Sequence, residues 1–248
     1  MLDKKTPKEI AILQEGGRIL SNILNRLAKQ VHPGQNGQEL NRLAEQWIRT
    51  AGGVPSFLNY HNFPAALCVS VNQTVVHGIP TARALKSGDI VGLDLGMLYK
   101  GFFTDMAVTL AVGEVTPEAK RLILAAKKAL EVGIAQIRPD RAISDIGRAI
   151  EAYIKPLGYG IVRDLAGHGV GRQVHEDPLV MNFDNGKETE KMFPGLVIAI
   201  EPMIILGGDD RVEVGSNGWD VNSYDHSLTA HFEHTVAVTN KGHVIITK

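Results

Sequence analysis

The chain has 248 residues, 44% of them hydrophobic, enough for a substantial core. Its 26 basic and 27 acidic side chains give a formal net charge of -1, which excludes the strongly basic surface expected where nucleic acid or an anionic membrane is the main partner. The single cysteine, Cys68, excludes an internal disulfide, and the start of the chain shows neither an apolar signal segment nor an Arg-rich transit pattern; with no apolar run near the ~18 residues of a membrane helix, the cytoplasm is the expected compartment.

Thr6-Pro7-Lys8-Glu9 reads as a helix start, with Thr6 as cap, Pro7 in the first turn and Glu9 completing a capping box. Ile10, Leu13, Ile19, Ile23, Leu24 and Leu27 continue at helical spacing until Pro33-Gly34. A second helix is predicted over about 37–50, ended by Gly52-Gly53. Strands are expected over 66–76, 90–99 and 102–112. Thr116-Pro117-Glu118 then opens another long helix, with Leu122, Leu124, Ala126, Leu130 and Ile134 on it and Pro139 beyond it. A shorter helix follows over about 144–154, and further strands over 196–206 and 230–239. The two shorter helices align at an offset of 106: Pro33 with Pro139, Leu40 with Ile146, Arg42 with Arg148, Glu45 with Glu151, Trp47 with Tyr153 and Ile48 with Ile154. This reads as an internal duplication, two halves packed about a pseudo-two-fold axis. No linker or low-complexity stretch divides the chain, so one α+β domain over 1–248 is expected, with helices covering one sheet face.

The residues that carry chemistry fall mostly on the strands. Residues 90–106 read as a hairpin. If its turn centres on Tyr99-Lys100, cross-strand partners sum to 199 and Asp94 faces Asp105; a bulge at Gly101 shifts them to diagonal positions. Two carboxylates so close repel unless a cation lies between them. Gly92 and Gly96 share the face of Asp94 and leave room beside it. The plain alternative is a loop-end aspartate that caps a turn or meets a lysine. In Gly167-His168-Gly169-Val170-Gly171 the imidazole stands between glycines, without the spacing of a phosphate loop. His175-Glu176-Asp177-Pro178 follows; it is not a zincin helix, because the second histidine would fall at Leu179. Glu201 ends the apolar run Val197-Ile198-Ala199-Ile200. In His231-Phe232-Glu233-His234-Thr235, alternation puts Glu233 opposite Phe232 and His234; periodicity leaves open which face is buried. Four carboxylates and one histidine suit two hard or borderline divalent ions, a known hydrolytic device when the ions sit ~3.5–4 Å apart. A serine hydrolase is disfavoured, for the chain has no G-x-S-x-G elbow.

These segments, with Val76-His77-Gly78-Ile79-Pro80, together resemble the type I methionine aminopeptidase family over nearly the whole chain. The resemblance implies the pita-bread fold, an antiparallel sheet with helices on its outer face and an internal pseudo-two-fold. It implies removal of the N-terminal methionine from nascent polypeptides, mainly before a small second residue, by attack of a metal-bridging water. Asp94 would bind one divalent ion (Co, Mn, Fe or Zn), His168 and Glu201 the other, and Asp105 and Glu233 both. Glu201 would shuttle protons, His175 would stabilise the tetrahedral intermediate, and His77 would contact substrate and assist proton transfer. Tyr60, Phe63, Cys68, His77, His175 and Trp219 would bind substrate, with Cys68 a wall residue and not a nucleophile. A monovalent cation near Asn72, a weak ribosome contact and a monomeric state also belong to the expectation. Gly96, Phe57 and Val174 depart from the residues usual in the family (Thr or another small residue, Cys and Phe) and are expected to alter the pocket wall and not the ligands. The readings weighed against this one are an Xaa-Pro aminopeptidase of the same fold and a non-catalytic binding protein of that fold.

Overall fold

In the computed structural model, which describes residues 2–248, the first helix starts for the reason its sequence gives. The Thr6 hydroxyl accepts from the Glu9 N–H, and the Glu9 carboxylate accepts from the Thr6 N–H. Such a cap is worth about 1 kcal/mol. Helix α1 runs over Pro7–Ala28 and α2 over Gly37–Thr50; α3 covers Pro117–Ile134 and α4 Ser144–Ile154. Thr116 caps α3 through the Ala119 N–H.

The strands are β1 (Val54–Pro55), β2 (Cys68–Val71), β3 (Thr74–Val76), β4 (Ile90–Tyr99), β5 (Phe102–Ala111), β6 (Gly160–Ile161), β7 (Gly167–Gly169), β8 (Glu176–Val180), β9 (Val197–Ile200), β10 (Met203–Ile205), β11 (Val212–Val214), β12 (Val221–Ser223), β13 (Thr229–His231), β14 (Glu233–Thr239) and β15 (Gly242–Ile245). A nine-stranded sheet has the order β1-β4-β5-β14-β9-β7-β8, with β2 also on β4 and β15 also on β14. Two three-stranded sheets, β13-β10-β6 and β11-β12-β3, complete the fold, and all pairings are antiparallel.

Helices lie on one face of the large sheet. Leu20 and Leu24 of α1 and Leu40 and Ile48 of α2 pack with Leu93, Leu95 and Met97 of β4. In the other half, Leu122 and Leu130 of α3 and Ile146 and Ile150 of α4 pack with Ile198, Ile200 and Val236. The aligned pairs Leu40 and Ile146, and Ile48 and Ile154, are fully buried, each in its own half. The lone bridges Asn36↔Ala84 and Ala142↔Lys191 repeat one contact in the two halves. This is the pita-bread arrangement, duplicated as the helix alignment predicts.

Three expected strands are broken in two. Residues 66–76 divide at Asn72, which adopts φ 57 and spends its side chain on the Ile90 N–H and the Asp89 carboxylate. Residues 196–206 divide at Glu201-Pro202, where the chain leaves the large sheet for a small one; proline offers no N–H to a ladder. Residues 230–239 divide at Phe232 for the same change of sheet. The second and third breaks lie beside residues of the site described next, Glu201 and Glu233.

Candidate active site

The β4–β5 turn is built by Lys100 and Gly101, with φ 48 and 85, the left-handed pair that suits a two-residue hairpin. Cross-strand partners therefore sum to 201 and not 199. Asp94 pairs with Ala107, and Asp105 with Gly96. The two aspartates are thus diagonal neighbours on one face, not directly opposed; the register differs because the turn sits one residue later than expected. Ala107 is also the partner of Glu233 in β14. Asp94, Ala107 and Glu233 form one row across three strands, and the small central side chain leaves the space between the carboxylates. The room beside Asp94 comes from Ala107 and not from Gly96, whose free side is taken by Ser56 and Phe57.

His168 enters from β7. Its glycine neighbours are required by close packing: a Cβ at Gly167 would overlap the Ala199 carbonyl, and one at Gly169 the Asp177 carbonyl. The His168 Nδ1–H donates to the Gly169 carbonyl at 2.8 Å, which leaves Nε2 free as a ligand atom. That atom lies 3.5 Å from Glu201 Oε1. Ligand atoms of Asp105, His168 and Glu233 all lie within 4.8 Å of one another. Asp105 is held by a reciprocal pair of bonds: its N–H donates to the Thr235 hydroxyl, which donates to its carbonyl.

Asp105, His168 and Glu233 are buried, and Asp94 Oδ1 is enclosed without a hydrogen-bond partner. Burial, then the neighbouring Glu201, pushes the Asp105 carboxyl up to about 7. Burial raises Glu201 to about 7 as well, partly offset by His168. Asp94 and Glu233 are also raised, first by burial and then by the other carboxylates. So many like charges in one enclosed place, with an orphaned oxygen and an imidazole nitrogen facing in, fit divalent cations.

Every residue singled out in the sequence as catalytic, substrate-binding or metal-binding lines one cavity of about 150 Å³, together with Phe57 and His61. One end carries the carboxylates and imidazoles. The other is apolar, formed by Phe57, Tyr60, Phe63, Cys68 and Trp219, with Phe63 and Trp219 edge to face at 5.1 Å. Val174 packs behind it. Burial, then the nearby carboxylates, pushes the Cys68 thiol well up, which suits a wall residue and not a nucleophile. His77 adopts φ 58 at the end of β3, where the Asp220 carboxylate accepts the Ile79 N–H and fixes the turn. The Tyr60 hydroxyl lies 2.9 Å from His175 Nδ1, and the His175 ring stands edge to face with His168 at 4.3 Å. Burial lowers both His77 and His175, so both are neutral at pH 7. Near Asn72, the carbonyls of Asn72 and Thr74 both lie within reach of the Thr229 hydroxyl.

Two residues were missed. His231 is buried, its Nε2 has no hydrogen-bond partner, and it lies 3.5 Å from Glu201 Oε2, on the side away from His168. Its place two residues before Glu233 was a usable signal. Lys5 is only 2% exposed and pairs with Glu176, beside His175; a lone lysine near a chain start gives no such signal.

The model of metallopeptidase family M24 matches residues 11–240. A methionine aminopeptidase of Clostridium perfringens is 42% identical over 247 residues, covering 100% of this chain and 99% of that protein. A Bacillus subtilis protein described as methionine aminopeptidase 1 is 38% identical, with both chains covered completely. The crystal structure of methionine aminopeptidase from Rickettsia prowazekii superposes with a TM-score of 0.97 at 34% identity over 100% of both chains.

Proposed function

The chain belongs to metallopeptidase family M24 and, within it, to the methionine aminopeptidases, and from that premise we propose that it releases the N-terminal methionine of nascent polypeptides in the cytoplasm, as a monomer acting as one catalytic unit. The observation that carries this is the cavity itself, which sets an apolar compartment against a cluster of four carboxylates.

Asp94 would hold one divalent ion, His168 and Glu201 a second, and Asp105 and Glu233 both; when bound, such ions supply a water of lowered pKa as nucleophile and polarise the scissile carbonyl. The chain's own groups do the rest. The apolar end takes the methionine side chain. Glu201, with one carboxylate oxygen toward His168 and the other toward His231, would take and return a proton, as a general base and then acid. With the Tyr60 hydroxyl donating to Nδ1, the neutral His175 ring keeps its proton on Nε2, the form that donates to a developing oxyanion. His77, neutral and enclosed, contacts the substrate backbone and assists proton transfer to the leaving amine. The preference for a small second residue is carried over from the resemblance to the methionine aminopeptidase family. A weak ribosome contact and a monovalent cation near Asn72 complete the proposal.

The test offers Met-Ala-Ser, Met-Leu-Ser and Ala-Pro-Ser peptides to protein loaded separately with Mn, Fe, Co or Zn. Release of methionine from Met-Ala-Ser alone supports the proposal. Cleavage of Ala-Pro-Ser alone would move the chain to Xaa-Pro hydrolysis. No cleavage with any metal would leave a binding protein.

A further inference from the structure

The apolar end of the cavity contains a contact between two residues far apart in sequence. Strand β1 pairs along the edge of β4, Val54 with Leu98 and Pro55 with Met97, and the Ser56 N–H donates to the Gly96 carbonyl at 3.1 Å. This carries the chain across the strand edge and lays the Phe57 ring over Gly96. A Cβ placed at Gly96 would stand 2.8 Å from Phe57 Cε1 and 3.1 Å from Cζ, closer than packed carbon atoms tolerate. It would also overlap the Ser56 hydroxyl, which is rotatable and has no hydrogen-bond partner. The ring has less freedom, because Phe57 packs in a cluster with Phe63, Cys68 and Val174 and itself lines the cavity.

Gly96 lies on the face of β4 that bears Asp94, two residues away. The Phe57 ring therefore occupies the volume that a side chain at 96 would fill, at the junction of the apolar end and the carboxylates. We propose that Phe57 and Gly96 form one specificity-determining pair: the glycine leaves the volume, and the ring that fills it sets the size of the first side chain the pocket admits. The ligand class is an unbranched side chain of thioether or aliphatic type. The inference rests on the proposed peptidase reading and concerns its selectivity.

The experiment is a double-mutant cycle on KM, kcat and metal affinity with the metal-loaded enzyme. Gly96→Ala forces the ring toward the cavity, so KM for Met-Ala-Ser should rise about tenfold, the scale of one methylene misfitted in a hydrophobic pocket, with kcat and metal affinity nearly unchanged. Phe57→Ala should improve kcat/KM for Leu-Ala-Ser or Phe-Ala-Ser relative to Met-Ala-Ser by a similar factor; Phe57→Leu serves if the alanine variant does not fold. In the Phe57→Ala or Phe57→Leu background, Gly96→Ala should add little. Independent, additive effects of the two substitutions, unchanged selectivity without the ring, or a Gly96→Ala defect confined to metal affinity would each overturn the pairing. If the wild-type enzyme cleaves no peptide, the reaction reading fails first, and calorimetric binding of free methionine and of phenylalanine to the same variants still decides the pair.

Discussion

Asp94 and Glu233 lie on either side of Ala107, each its direct partner in a neighbouring strand. The methyl group between them is 1% exposed and is the smallest side chain that still closes the sheet face. A valine there would put carbon where the carboxylates converge. Ala107→Val, which removes no ligand, should weaken divalent-metal binding by at least about tenfold, the range seen when supporting positions of metal sites are changed. Calorimetric titration of chelator-treated protein checks this. Unchanged affinity would show that the row of three is not the binding geometry.

Asp105 is buried, with a carboxylate oxygen within 4.8 Å of ligand atoms of His168 and Glu233. Asp105→Asn should abolish peptide cleavage while the fold survives. It also removes one of several mutually repelling buried charges, so the metal-free variant should melt higher than metal-free wild type. Near-normal turnover by the metal-loaded variant would sink the assignment of Asp105 as a shared ligand.

The carboxylates predict how the metal-free protein responds to pH. Asp105 and Glu201 titrate at about 7 in the fold, against 3.8 and 4.5 unfolded, so between those values the fold holds more protons than the unfolded chain. Stability from these groups is complete below the unfolded values and is lost as pH rises through about 7. The buried His231 and His234, lowered by burial to about 3 and about 4, act oppositely, since the unfolded chain gains their protons below 6.5. Well above 6.5, from about pH 7.5, these histidines and the similarly lowered His77, His168 and His175 are neutral in either state, and only the raised acids, Asp94 and Glu233 among them, remain. Metal-free protein should therefore lose melting temperature from about pH 7.5 to about 8.5, and the rise on adding Mn should grow over the same range. A melting temperature that climbs with pH without metal would contradict this origin of the shifts.

Lys5 joins the N-terminal segment to the loop that bears His175. Its ammonium is 2.5 Å from Glu176 Oε2 and 3.2 Å from Asp3, while Glu176 Oε1 accepts the Gln173 N–H and also that of Arg172. Lys5→Met leaves that carboxylate enclosed without its cation, a change that typically costs about 3–5 kcal/mol. Chemical denaturation should show this loss, and Lys5→Arg should recover part of it. A loss under about 1 kcal/mol, the scale of an exposed pair, would mean that the pair is solvated in solution.

How much of this the sequence carries differs by residue. Helix starts were legible because Thr6 and Thr116 cap through bonds within one turn. Of the proposed ligands, Glu201 was legible because it ends an apolar run, and the full set only through the family resemblance. The hairpin register was not, because it depends on which two residues take positive φ, and Lys100 gives no sign of doing so. Strand breaks at Asn72, Glu201 and Phe232 were hidden by continuous apolar patterning, which is the same whether the next residues stay in one sheet or pass to another. His231 was legible from its place two residues before Glu233, on the same face of the alternating pattern. The Phe57–Gly96 and Lys5–Glu176 contacts join segments with no shared local pattern, so only the tertiary structure reveals them.

On the proposed function, this carboxylate cluster holds two divalent ions, and the first peptide bond is hydrolysed only when they are present. The most direct test is one titration, in which chelator-treated protein receives Mn or Co in small increments while binding heat and methionine release from Met-Ala-Ser are followed together. No release is expected at zero metal, and activity should rise with metal binding that saturates at two ions per chain. Full activity in excess chelator, or saturation without binding at this cluster after Asp105→Asn and Glu233→Gln are compared, would contradict it.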